Sequence, residues 1–77
     1  MKPNQCRMGR AALNWSTQEL AQKAGVGANT VNRFESGQDA RVSSVDKMRN
    51  AMEEAGVVFI ADGEASAAGG PGVRLGR

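Results

Sequence analysis

The residues of this chain best suited to chemistry with a partner are Asn29, Asn32 and Arg33, with Ala28 beside them. An Asn amide carries a donor and an acceptor on one planar end, which matches N6 and N7 of adenine. An Arg fork matches O6 and N7 of guanine, and an Ala methyl can meet a thymine methyl. On a helix these four residues share one side, while Val31 and Phe34, three apart, share another. A short helix anchored through Val31 and Phe34, with Asn and Arg held outward, has the chemistry of base-edge recognition in a duplex major groove. Asn29 is the first candidate base reader. Arg33 is the second, although its length also reaches phosphates, and Asn32 can touch either. The plainer alternative is a solvated polar helix face.

Other chemistry lacks its residues. The chain has no His and one cysteine, Cys6, so there is no metal set. No Ser or Cys sits near a plausible base, and no paired carboxylates flank a pocket. The sequence therefore predicts no enzyme, no cofactor and no small-molecule ligand.

The element that must position the reading helix lies just before it. Residues 17–24 are helix formers in which Leu20, Ala21 and Ala24 share a face. Ser16 is a good N-cap, and Ser16 with Glu19 has the S-x-x-E form of a capping box. Gly25, Val26 and Gly27 break the helix, Gly25 supplying a residue tolerant of positive φ. The second helix starts near Gly27 or Ala28 and runs to Ser36, with Gly37 at a left-handed cap. Two short helices about a Gly-containing turn form a helix-turn-helix.

Two blocks in register, ELAQKAGV at 19–26 and TVNRFESG at 30–37, resemble the lambda-repressor-like or XRE-type helix-turn-helix proteins, the Cro and phage-repressor group. The resemblance covers roughly residues 5–56. It implies a mainly α, four-helix DNA-binding domain. It also implies that Arg10 on the first helix pairs with Glu35 at the end of the third, as a structural clamp. The start of the second helix should face a DNA phosphate, because free amides and the helix dipole both favour an anion. Ser16, Thr17, Gln18 and Gln22 are the candidates there, with Thr17 standing where relatives often carry Gln. Gly27 stands where related sequences often have Ser or Thr as a cap.

The remaining elements follow from pattern. Pro3 and Asn4 lead into a first helix over residues 5–14, with Cys6 and Leu13 inward. Gly9 lies on the same side, and since a mid-helix Gly costs about 1 kcal/mol against Ala, another helix should press close there. Trp15 should cover the core from the following loop. Residues 38–42 read as a loop in which Gln38 and Arg41 are phosphate candidates, while Asp39 opposes phosphate approach. Ser43 or Ser44 should cap a fourth helix over residues 45–55. Its stripe of Val45, Met48 and Met52 packs inward, and Lys47 and Arg49 are further phosphate candidates. Gly56 stops it. Residues 57–61 read as a strand, 62–71 as a loop rich in small residues and 72–75 as a second strand. The sequence thus divides into a DNA-binding part, 1–56, and a C-terminal β extension, 57–77. A lone two-stranded sheet is marginal, and its edge invites another strand. Val57, Val58, Phe59, Ile60, Val73 and Leu75 are therefore the candidate dimerisation residues.

Composition sets outer bounds. At 77 residues the chain is near the lower limit for a self-sufficient core. The net charge of +2 does not argue for nucleic acid by itself. A single cysteine fits a reducing cytoplasm, and no apolar run approaches the roughly 18 residues needed to span a membrane. The function that follows is a sequence-specific, cytoplasmic DNA-binding regulator, a repressor that binds double-stranded DNA as a homodimer on a partly palindromic operator. Two alternatives remain open: an antitoxin that represses its own operon and binds a toxin protein, or a helix-turn-helix adaptor that binds protein.

Overall fold

Helix ends in this chain are set by residues that accept a left-handed backbone. The computed structural model describes residues 1–60 and 72–76. Helix α1 spans Pro3–Leu13, with Pro3 in the first turn, where its missing N–H costs nothing. Helix α2 is Thr17–Ala24, α3 Ala28–Glu35 and α4 Val42–Glu54. Three of the four helices close with the same pair of backbone bonds. After α1, Asn14 (φ 57°) bonds back to Ala11 and Trp15 to Arg10. After α2, Gly25 (φ 73°) bonds to Gln22 and Val26 to Ala21. After α3, Gly37 (φ 86°) bonds to Phe34 and Gln38 to Arg33.

Several helix boundaries differ from the sequence expectation, those of α1 and α4 most. Helix α1 starts two residues early and ends at Leu13, because Asn14 serves as its left-handed cap rather than its last turn. Helix α4 begins at Val42, so Ser43 and Ser44 lie inside its first turn, and Val42 leaves the expected loop. Arg41 holds the N-cap position without a side-chain hydrogen bond.

The four helices enclose one core of Cys6, Leu20, Ala21, Val31, Phe34, Met48 and Met52. Val57, the first residue of strand β1 (Val57–Ile60), completes it. Strand β2 (Gly72–Leu75) pairs antiparallel with β1, Val57 opposite Leu75 and Ile60 opposite Gly72. A bond from the Gly76 N–H to the Gly56 carbonyl, 2.6 Å, extends the ladder by one rung. Ala61 and the expected loop 62–71 lie outside the described residues.

The hairpin is fastened to the helices by a residue the sequence did not single out. Gln5 is buried, and its amide nitrogen donates to the carbonyls of Ile60 (2.9 Å) and Gly72 (3.1 Å). Its amide oxygen accepts the Lys2 N–H at 2.8 Å, closing the start of α1. A second strap comes from α4: the Arg49 guanidinium lies 5.3 Å from the Phe59 ring centre and bonds Glu53 at 3.2 Å. Arg49, a phosphate candidate in the sequence, is thus engaged with the hairpin. Gly9 is the point of close approach between α1 and its neighbours. A Cβ there would stand 2.7 Å from the sulfur of Met52 and 3.7 Å from Val57.

Candidate nucleic-acid interface

Helix α3 sorts its residues cleanly by side. Val31 and Phe34 are buried, and Asn29, Asn32 and Arg33 are exposed. Positions 29, 32 and 33 fall at i, i+3 and i+4, so two amides and a guanidinium form one outward polar strip. Ala28 is half-buried at the start of the helix and packs against the core, which limits it to a methyl contact at the strip's edge.

The far end of α3 is fixed by a network from α1. Arg10 meets Glu35 through two parallel bonds, Nε to Oε2 at 2.6 Å and Nη2 to Oε1 at 2.8 Å. This fork geometry is the strong form of an ion pair. The same Arg10 donates from Nη1 to the Trp15 carbonyl at 3.0 Å, so one side chain braces both the α1–α2 turn and the end of α3. Arg7 donates to the Glu35 backbone carbonyl, and the Cys6 thiol to Glu35 Oε2 at 3.2 Å. Burial alone would raise the Glu35 pKa, but the Arg10 pair and the Cys6 thiol outweigh it and hold the carboxyl below its ordinary value. Arg10 is raised, chiefly by the hydrogen bond to Glu35. Burial first, then the adjacent Glu35, pushes the Cys6 thiol up to about 12, so Cys6 stays protonated and chemically quiet.

The other phosphate candidates lie around this strip. At the start of α2, the Ser16 hydroxyl accepts the Glu19 N–H at 3.0 Å, and Glu19 accepts the Ser16 N–H at 3.1 Å. This capping box already places a carboxylate at the helix start, where Thr17 is half-buried and Gln18 exposed. Gln22 is exposed one turn beyond Gln18. On the other flank, Arg33 from α3 and Arg41 at the start of α4 line a cleft of about 600 Å³ with Thr30, Asp39, Ala40 and Ser44. Thr30 and Ser44 were not candidates in the sequence. Thr30 reads there as an ordinary helix residue and Ser44 as a possible cap of α4, and only the fold brings both to the lining of a cleft with two arginines. Gln38 and Lys47 are exposed but do not line this cleft.

The proposed dimerisation residues divide between two faces. Val57 is buried in the chain's own core, and Phe59 and Val73 pack against it. Alternation along the strands then places Val58 and Ile60 on the opposite face, while Leu75 is 46% exposed. No helix among the described residues is long and apolar enough to cross a membrane.

An α2 anchored through buried Leu20 and Ala21, a tight Gly25 turn and an exposed amide-and-guanidinium strip on α3 define a DNA-binding helix-turn-helix domain. The Helix-turn-helix family model matches residues 7–54, more than half of the chain. The chain belongs to the lambda-repressor-like, XRE-type helix-turn-helix family of DNA-binding regulators. No curated protein matches it.

Proposed function

We propose that this protein is a transcriptional repressor that binds a partly palindromic operator as a homodimer. Helix α3 lies in the major groove, with Asn29 as the principal base reader and Asn32 and Ala28 beside it. Thr17, Gln18, Gln22 and Arg41 hold the flanking backbone. Two-fold symmetry sets the two α3 helices about 34 Å apart, one turn of duplex. Repression by occupancy needs no further machinery than tight, specific docking. The observation that carries this reading is the exposed strip of Asn29, Asn32 and Arg33, on a helix whose inner side is anchored by Val31 and Phe34 and whose end is clamped by Arg10.

The test is binding of the purified protein to the DNA upstream of its own gene and to a random duplex, each at two salt concentrations. Specific recognition predicts a preference of about 10³ or more for the upstream DNA. Asn29→Ala should reduce that preference by about 1–3 kcal/mol at one base position while leaving random-duplex binding unchanged. Equal, weak binding to both duplexes would count against an operator and in favour of a protein partner.

A further inference from the structure

Asp39 is the residue of this face that DNA binding does not explain. It is exposed and forms no ion pair with any described residue. Yet it lines the same cleft as Arg33 and Arg41, between α3 and the first turn of α4. The cleft is roomy at about 600 Å³, and two hydroxyl residues, Thr30 and Ser44, complete its polar lining. Two guanidinium groups, two hydroxyls and an open mouth suit a tetrahedral oxyanion, since each guanidinium can offer paired N–H donors to phosphate oxygens. A carboxylate in that lining is the wrong sign for such an occupant. It lowers the charge available in the cleft from two positive groups to a net of one.

We propose that this cleft seats one phosphate of the DNA backbone between Arg33 and Arg41, and that Asp39 is a built-in competitor that limits affinity for every duplex. The proposal rests on the DNA-binding reading above and sharpens it. Arg33 becomes a backbone contact rather than a reader of guanine, leaving base recognition to Asn29 and Asn32. Thr30 and Ser44 become secondary donors to the same phosphate. Asp39 weakens non-specific binding, in which phosphate contacts supply nearly all the affinity. A regulator so tempered stays less occupied by the excess of competing genomic sites, and its base contacts carry a larger share of its operator affinity.

The experiment compares wild type, Asp39→Asn, Asp39→Ser, Arg33→Ala and Arg41→Ala. Each is titrated against a random duplex and against the best-bound duplex selected from a random pool, at three chloride concentrations, with helicity checked by circular dichroism. Both Asp39 variants should tighten binding to both duplexes by about 3- to 10-fold, the scale of one unit charge acting across a few ångströms of solvated surface. Arg33→Ala and Arg41→Ala should weaken both duplexes by a similar factor, each reducing the salt slope by about one. Loss confined to the selected duplex in Arg33→Ala would make it a base reader and overturn the proposal. So would unchanged binding in the Asp39 variants while wild type binds normally. Replacing chloride with inorganic phosphate at equal ionic strength should weaken wild-type binding more than Arg33→Ala binding, because the free ion and the backbone phosphate share the same guanidinium donors. Phosphate binding, read by calorimetry, that Arg33→Ala abolishes while leaving duplex affinity and salt slope unchanged would assign the cleft to a free phosphate and overturn the backbone reading. If neither wild type nor Asp39→Asn binds any duplex, the DNA reading fails and this inference with it.

Discussion

At the residue scale, Glu35 concentrates more of the structure than any other side chain on α3. It accepts from Arg10 twice and from the Cys6 thiol, and its backbone carbonyl accepts from Arg7. Its side chain is 9% exposed and that of Arg10 is 20% exposed, so removing one partner strands the other in a partly dry site. We expect Glu35→Gln to cost about 2–4 kcal/mol at neutral pH, slightly under the buried-pair range because Arg10 retains some water. The pH dependence follows from the direction of the shift. Glu35 binds its proton less readily folded than unfolded, so the ion pair's contribution is complete above the unfolded value of about 4.3 and fades as pH falls through the lower folded value. Urea titrations of wild type and Glu35→Gln should therefore differ most at pH 7, and the gap should narrow progressively as pH falls below the unfolded value of about 4.3. A gap of equal size at pH 3 would show that the carboxylate charge is not what holds α3.

At the scale of elements, α1 approaches α4 closely at Gly9. A Cβ there stands 2.7 Å from the sulfur of Met52, a side chain with no exposed surface. Methionine is adaptable, so a single methyl meets a yielding neighbour, and the better helix propensity of Ala offsets part of the clash. Gly9→Val adds two more carbons in the direction of Met52 and Val57 and should cost about 2–3 kcal/mol. A thermal melt decides this, with Gly9→Ala expected between wild type and Gly9→Val. The demand for a small residue at Gly9 is legible in the sequence, because a mid-helix glycine is otherwise a cost. The α2–turn–α3 unit is legible for a similar reason: Ser16 with Glu19, Gly25 and Gly37 each mark a local backbone requirement. The start of α4 is not. Ser43 and Ser44 have the chemistry of caps, but the chain turns into the helix at Arg41, so the serines fall in the first turn and Ser44 faces the cleft. The role of Gln5 is equally illegible, because it depends on elements distant in the chain, and those of Arg49 and Thr30 depend on how consecutive elements fold back on one another. Gln5 meets carbonyls 55 and 67 residues away.

For the whole molecule, the decisive question is what the hairpin is for, because its two faces answer differently. The inner face is structural: Val57 is in the core, Phe59 and Val73 pack on it, and Gln5 ties both strands to α1. The outer face carries Val58 and Ile60, apolar and β-branched, on a sheet of two strands among the described residues. Such a sheet retains outer edges able to pair with another strand, which is how a second copy would join. The two roles can be separated by substitution. Val57→Ala removes two methyl groups from the core and should lower stability by about 1–2 kcal/mol. At concentrations where the folded protein is fully associated, it should leave the oligomeric state unchanged. Val58→Lys with Ile60→Lys places two like charges on the outer face and should do the reverse, giving a folded monomer by analytical ultracentrifugation. That monomer should lose most of its operator affinity, because one α3 helix reads only a half-site, but keep non-specific binding near that of a single domain. If the double lysine variant sediments like wild type, the dimer is built elsewhere, and an exposed surface such as Val42 (77% exposed) at the start of α4 becomes the place to look. If wild type is itself a monomer, the outer face is free for another protein, and the palindromic operator loses its physical basis.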